Sequence, residues 1–392
     1  MPMLHAIQHP RILVALEWYD HEVHYGVVQY ARQAGWILND AVAHLGKVPP
    51  AWRGEGIIAV INNATGEVAR LVRHCRRPVV DLTNEVPALK VPRVLADNFA
   101  IGRVGAEHLI SRGFRHLAFV CVWGSWVETE RMQGFERAVR KAGRDFHLLD
   151  FQNAGQRFHV DETERMRGLV RQITRLPRPV GIMAQYDSKA LWVLQACEVA
   201  GLRVPDEVAV VGADNDVLSC EAGPMPLSSV ERRRREHGYQ AAALLDRLMH
   251  GEKPPAEPIR VAPGPVVARR SSDVLAVDDP AVAAALRFIA ENYQRPDLGV
   301  TDVVHAAGLD RQERRLYRLF TAQVGTPIKA QILRHRVNHA RQLLLTSQDK
   351  LLAIAHRAGF RDGEHLTRAF KRELGIAPGH FRCATKEAAP TA

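Results

Sequence analysis

Residues 351–382, LLAIAHRAGFRDGEHLTRAFKRELGIAPGHFR, constrain this chain more than any other stretch. Leu351, Ile354, Ala355 and Ala358 recur at helical spacing. Gly359 follows where a helix end wants a left-handed residue. Asp362 stands where it can cap a second helix. Leu366, Ala369, Phe370 and Leu374 give that helix one apolar face, and His365, Arg368, Lys371 and Arg372 give it a basic one. Two short helices joined by a glycine turn, the second basic, form a helix-turn-helix pattern.

The pattern occurs twice. Residues 303–320 read VVHAAGLDRQERRLYRLF, so Ala307-Gly308 matches Ala358-Gly359 and Leu316-x-Arg318-x-Phe320 matches Leu366-x-Arg368-x-Phe370. Between them, 327–346 read as one long helix with a stripe of Leu333, Val337, Ala340 and Leu344, and Pro327 suits its first turn. The two units, the connecting helix and the closing Gly375-Ile376-Ala377-Pro378…Phe381-Arg382 resemble the AraC family of transcription regulators over about 280–383. The charge agrees. Residues 280–384 hold 17 Lys/Arg against 9 Asp/Glu, a net +8, while the whole chain is +10. A basic surface concentrated in this way attracts phosphate.

The resemblance places the second helix of each unit in a major groove. The candidate DNA-contacting residues are Arg314, Arg315 and Arg318 upstream and Arg361, Glu364, His365 and Arg368 downstream. Arginine can read guanine and glutamate can accept from cytosine. The upstream turn reads about two residues longer than the family's, with Gln312 taking the cap position in place of Asp310.

The length of 392 residues predicts two or three domains. No run of about 18 apolar residues is present, and MPMLHAIQHPR lacks a secretory apolar core. Cys75, Cys121, Cys197, Cys220 and Cys383 are scattered, with no Cys-x-x-Cys, and read as reduced thiols of a cytoplasmic protein.

Upstream of the reader the chain alternates apolar runs with amphipathic helices, the signature of parallel sheet covered on both faces. One series comprises strands at 11–16, 56–61 and 78–82 with helices between them. A second begins near 93: 93–98, helix 99–112, strand 115–122, helix 127–142, helix 160–176, strand 179–185, helix 188–200, strand 207–213, helix 236–250 and strand 259–268. Two such series predict two Rossmann-like lobes with a hinge. No Gly-x-Gly-x-x-Gly marks a dinucleotide site.

Arg131-Met132-Gln133-Gly134-Phe135, Gln185-Tyr186-Asp187, Val210-Val211-Gly212-Ala213-Asp214 and Leu227-Ser228-Ser229-Val230 resemble landmarks of the LacI/GalR-type sugar-sensing domain, related to periplasmic binding proteins. That family's headpiece is missing, since the reader here lies at the other end. The combination is similar to bacterial pentose-responsive operon regulators. It implies an activator with a small-sugar effector, D-xylose or another pentose, bound between the lobes. It also implies a homodimer, contact with RNA polymerase, no cofactor and no enzymatic role.

The candidate sugar ligands are Asp214, Arg131, Asp187 and Asn98, because carboxylates accept from paired hydroxyls and arginine donates as a fork. Asn98 and Asp187 also have helix-capping readings. Trp18, Tyr19, Trp123, Trp126 and Tyr186 follow strands and offer ring faces, whereas Trp192 reads as core. An α/β hydrolase is the remote alternative, but no Gly-x-Ser-x-Gly, His-Glu-x-x-His or Walker A pattern is present. A sensor that only dimerises, or takes a non-sugar ligand, is the nearer one. The expected boundaries are a sensing and dimerisation domain at 1–272, a linker at 273–280, the reader at 281–385 and a disordered tail at 386–392.

Overall fold

A computed structural model describes residues 9–50, 52–122, 124–150, 162–277, 279–310, 312–347 and 349–387. The chain divides into two compact units. One holds the described residues up to 111 and from 115 to 273; the other holds 112–114 and those from 274 onward.

The first unit begins with β1 (Arg11–Leu16), α1 (His21–Ala34), β2 (Ile37–Asn39), α2 (Ala41–Leu45), β3 (Gly56–Val60), α3 (Glu67–His74) and β4 (Val79–Asp81). These strands form a parallel sheet in the order β2-β1-β3-β4. Successive residues of β1 point to opposite faces. Ile12 and Val14 therefore enter one apolar cluster, and Leu13 and Ala15 enter another. Burial on both faces is why the strand reads as a continuous apolar run.

After β5 (Val94–Ala96) the chain crosses to a second lobe. This comprises α4 (Asn98–Ser111), β6 (His116–Cys121), α5 (Trp126–Lys141), β7 (Asp145–Asp150), α6 (Glu162–Thr174), β8 (Val180–Ala184), α7 (Asp187–Val199), β9 (Val208–Ala213), α8 (Val217–Glu221) and β10 (Ser228–Val230). The chain then returns to the first lobe as α9 (Arg234–Met249) and β11 (Ile259–Val261), and comes back as β12 (Val266–Val267). The second sheet runs β12-β10-β9-β8-β6-β7, with only β12 antiparallel.

Two expectations are corrected here. The single strand expected over 259–268 is two strands in different sheets: β11 pairs with β5, and β12 pairs with β10. Pro263 and Gly264 part them, and the Gly264 amide turns back to donate to the Glu231 carbonyl at 2.8 Å. Moreover, β5, α9 and β11 belong to the first lobe. Val94, Ala241, Leu245 and Val261 share its core with Ile12 and Val27.

Each lobe is closed by a pair of helices in backbone contact. A Cβ on Gly26 of α1 would collide with the Arg235 carbonyl, and one on Gly238 of α9 with the Val23 carbonyl. In the second lobe, Gly102 of α4 lies on the Arg131 carbonyl and Gly134 of α5 on the Phe99 carbonyl. Only glycine allows this approach, and it fixes where α5 carries Arg131.

The second unit is helical: α10 (Pro280–Asn292), α11 (Val300–Ala306), α12 (Glu313–Val324), α13 (Ile328–Thr346), α14 (Leu351–Arg357), α15 (Gly363–Leu374) and α16 (Pro378–Glu387). Asp279 caps α10 by accepting from the Ala281 and Val282 amides. The helix α13 serves both halves. Ile328 and Ile332 join a core with Leu316 and Phe320, whereas Val337, Ala340, Leu343 and Leu344 join one with Leu366 and Phe370. Pro327 stands at its N-cap rather than in its first turn. The closing helix reaches Glu387, two residues into the expected tail, and 388–392 lie outside the described residues.

Candidate functional site

A cavity of about 630 Å³ opens between the lobes of the first unit, beyond the carboxyl ends of the strands. At its floor is Arg131, with a side chain that is 0% exposed. Its Nε donates to Asn98 Oδ1 at 3.0 Å, its Nη1 donates to the Gln185 carbonyl, and its Nη2 reaches Asp214 Oδ1 at 3.3 Å. The guanidinium lies over the Tyr186 ring, 4.9 Å from the centroid. Asn98 is buried and does not cap its helix; Asp97 does, by accepting from the Ala100 amide.

Asp214 directly follows β9 with φ at +114°, and Asn215 follows at +51°. These are uncommon angles outside glycine. Asp187 holds that loop. Its Oδ2 accepts from the Asp216 amide at 2.8 Å and its Oδ1 from Ser229 Oγ at 2.5 Å. It is not the N-cap of α7, a position that Tyr186 occupies. Burial, with the Asp214 charge beside it, pushes its carboxyl up to about 7.

Among the residues that face the cavity and that the sequence did not single out are Asp20, Glu85, Asp216, Arg232, Arg234 and His237. Asp20 caps α1 from the first lobe and also accepts from Arg232 at 2.5 Å and Arg234 at 3.4 Å. Arg232 also lies 3.6 Å from Asp214, and Arg234 lies 3.6 Å from Asp216. The pairs chain the two lobes together. In sequence, Arg232 to Arg235 read only as a basic run before a helix, and no local signal aims two of them inward. His237 donates Nε2–H to the Val94 carbonyl at 2.8 Å, which leaves Nδ1 as an acceptor. Burial, with Arg232 nearby, lowers its imidazole to about 4, so the ring is neutral.

Trp18 and Tyr19 line the mouth at 60% and 46% exposure, and Trp18 lies 6.3 Å from Tyr186, centroid to centroid. Trp126 lines it as well. Trp123 lies outside the described residues. Trp192 is half-buried beneath Lys189 Nζ, 3.4 Å from its ring centroid. The four described cysteines, Cys75, Cys121, Cys197 and Cys220, form no disulfide with one another.

In the reader, Gly308 and Gly359 have φ of +68° and +86°, and each ends the first helix of its unit. Asp362 caps α15 through the His365 amide at 2.7 Å. Gln312 occupies the N-cap of α12 without a side-chain capping bond, its Oε1 accepting from Arg315 at 3.2 Å, while Asp310 pairs with His305 at 2.9 Å. The helix α12 starts five residues after its glycine and α15 four after its own, so the upstream turn is longer than the downstream one by a single residue. Arg314, Arg315, Arg318, Arg361, Glu364 and Arg368 are exposed. His365 is half-buried, its ring edge-on to Phe360 at 5.2 Å. Arg336 of α13 turns inward to donate to the Tyr293 and Arg295 carbonyls at 2.7 and 2.6 Å.

The periplasmic binding protein-like domain family matches residues 106–272, and a helix-turn-helix domain family matches residues 293–384. With the fold, these define a DNA-binding, sugar-responsive transcription regulator with an AraC-type reader. Its relatives are specific. The chain is 29% identical over 383 residues to the xylose operon regulatory protein of Escherichia coli K12, covering 94% of this chain and 95% of that one. It is 28% identical over 382 residues to the xylose operon regulatory protein of Haemophilus influenzae, covering 93% and 95%. The solved structure of a xylose-binding transcription activator superposes with a TM-score of 0.70 at 26% identity, covering 96% of this chain and 99% of that one. Among the described residues no helix is long and apolar enough to cross a membrane.

Proposed function

We propose that this chain is a cytoplasmic, dimeric transcription activator whose effector is D-xylose or another pentose, bound between the lobes by Arg131, Asp214, Asn98, Asp187, Trp18 and Tyr19, with Asp20, Arg232 and His237. The observation that carries the reading is the pairing of every arginine in the cleft with a carboxylate, with Glu85 and Asp187 lining it as well. Arg131, Arg232 and Arg234 face Asp20, Asp214 and Asp216. Such a site has no excess of positive charge to hold an acid or a phosphate. It offers alternating donors and acceptors to a neutral polyol and an aromatic wall to its ring face. The relatives named for xylose support the sugar, and the solved relative described as an activator supports the direction of control. The exposed arginines of α12 and α15 are the proposed base and phosphate contacts, and RNA polymerase the proposed partner. The test is a thermal-shift and calorimetric panel of D-xylose, L-arabinose, D-ribose, xylonate and a pentose phosphate. A neutral pentose should raise the melting temperature, and the anions should not. No response to any pentose, or a preference for an anion, overturns the reading.

A further inference from the structure

The structure shows a hydrogen-bonded path from the cleft floor to the last residues of the sensor. Asp214 and Asn215 occupy consecutive positive-φ positions, costly conformations that persist only when their surroundings fix them. What fixes them is not confined to the cleft. The Asn215 amide donates to Ser229 Oγ at 2.9 Å, and its Nδ2 donates to Glu231 at 2.8 Å. Its Oδ1 accepts both Nη1 and Nη2 of Arg269 at 3.0 Å. Arg269 opens the segment through which the chain leaves this unit at Asp273.

That segment is packed, not loose. Arg269 Nη1 also donates to the Leu227 carbonyl at 3.0 Å, and its main chain exchanges two hydrogen bonds with Ser228 Oγ at 2.7 and 2.8 Å. Ser271 Oγ donates to the Val210 carbonyl at 2.7 Å and accepts from the Ser228 amide at 2.8 Å, and Ser271 and Ser272 are fully buried. Two arginine donors on one amide oxygen tolerate little rotation of that amide. A group that draws the Asp214 carboxylate away from Arg131 and Arg232 pulls on the same positive-φ turn that carries the acceptor of the fork.

We propose that the Asn215–Arg269 fork is the positioning contact that carries the state of the cleft to the junction leaving the sensor; this rests on the sugar reading above. Neither residue needs to touch the ligand, and Arg269 does not line the cavity. Glycine keeps the left-handed backbone of Asn215 while deleting the acceptor, so Asn215→Gly separates the side chain's role from strain. Asn215→Asp retains an acceptor for the fork, and pairing it with Glu231→Gln restores the hydrogen bond that Nδ2 makes to Glu231.

The experiment is calorimetric titration of the full-length chain with D-xylose, together with hydrogen exchange of peptides spanning 269–277 with and without the sugar. Wild-type protein should bind and change its exchange in 269–277. Asn215→Gly should bind within about threefold of wild type, far less than the roughly 5- to 150-fold of a typical coupling, and lose the exchange response. The Asn215→Asp/Glu231→Gln pair should keep it. A wild-type-like response in Asn215→Gly, or wild-type protein that binds without any change at 269–277, overturns the relay alone. No binding by wild type overturns the sugar reading and the relay with it. Should Asn215→Gly lose binding, Arg269→Gln decides: binding kept with the response lost supports the relay, and any other result overturns it.

Discussion

Asp214 stands between Arg131 and Arg232 at a backbone angle that suits glycine, which sets how its role is tested. Alanine there would add strain, whereas Asp214→Gly removes the carboxylate and keeps the turn. Arg131 would retain Asn98 and the Gln185 carbonyl, and Arg232 would retain Asp20, so the sensor should still fold. Losing one charged partner of a ligand hydroxyl costs about 1–3 kcal/mol. D-xylose should therefore bind about 5- to 150-fold more weakly, and its thermal shift should shrink at concentrations that saturate wild type; an undiminished shift removes Asp214 from the site. The cleft also titrates in two opposite senses. The Asp187 carboxyl is raised from 3.8 to about 7, so the folded protein holds a proton that the unfolded chain releases. Its stabilisation is full below about pH 4 and is lost as pH rises towards 7. The His237 imidazole is lowered from 6.5 to about 4, so its contribution is present above pH 6.5 and is lost as pH falls through 4. Relative to wild type, Asp187→Asn should gain stability as pH rises from 4 to 7, and His237→Gln as pH falls from 6.5 to 4. All six tryptophans precede residue 193, so tryptophan fluorescence in a urea series at each pH follows the sensor alone.

At the scale of elements, the repeated Ala-Gly turn looks identical in both reader units but is not equivalent in space. A Cβ on Gly308 would meet nothing, so Gly308→Ala should cost only the left-handed penalty of about 1–2 kcal/mol. A Cβ on Gly359 would strike the Tyr293 carbonyl and crowd Gln294, in the turn that Arg336 also grips. Gly359→Ala should lower the reader's calorimetric transition by at least twice as much; equal losses would mean that the Tyr293 contact does not matter. The same contrast shows what sequence reveals. The period of Leu316, Phe320, Leu366 and Phe370 was legible because each helix has one wet face and one dry one, and the doubly buried strands were legible as unbroken apolar runs. The three-residue β2, the five-residue α2 and the edge strand β7 were too short or too mixed to register. The return of α9 to the first lobe had no local signature, since Gly26 and Gly238 acquire meaning only when the helices touch. In the cleft, Asp214 and Asn98 lay just after strands and Arg131 early in the helix that follows one, so they could be named. Asp20 and Arg232 come from opposite ends of the sensor sequence, and their meeting is a product of the fold.

At the scale of the whole molecule, the chain joins a sugar-responsive sensor to a reader with two helix-turn-helix units, and control requires that the first bias the second. A sugar can shift the sensor only by its differential affinity for two states, and typical coupling is about 1–3 kcal/mol. In a dimer, two readers supply four helices, so affinity for a paired site depends on whether both readers engage at once, whereas affinity for a half-site does not. If sugar acts on spacing, D-xylose should change paired-site affinity about five- to 150-fold while leaving half-site affinity within experimental error. The +8 charge on 280–384 gives every complex a phosphate component. Both affinities should therefore fall steeply with salt, and the sugar effect should persist at each salt concentration. Fluorescence anisotropy on one-site and two-site duplexes, with and without D-xylose, measures all of this. Equal changes on the two duplexes would place the sugar's effect inside each reader. An unaltered response after a flexible insertion at 274–277 would show that the junction transmits no position.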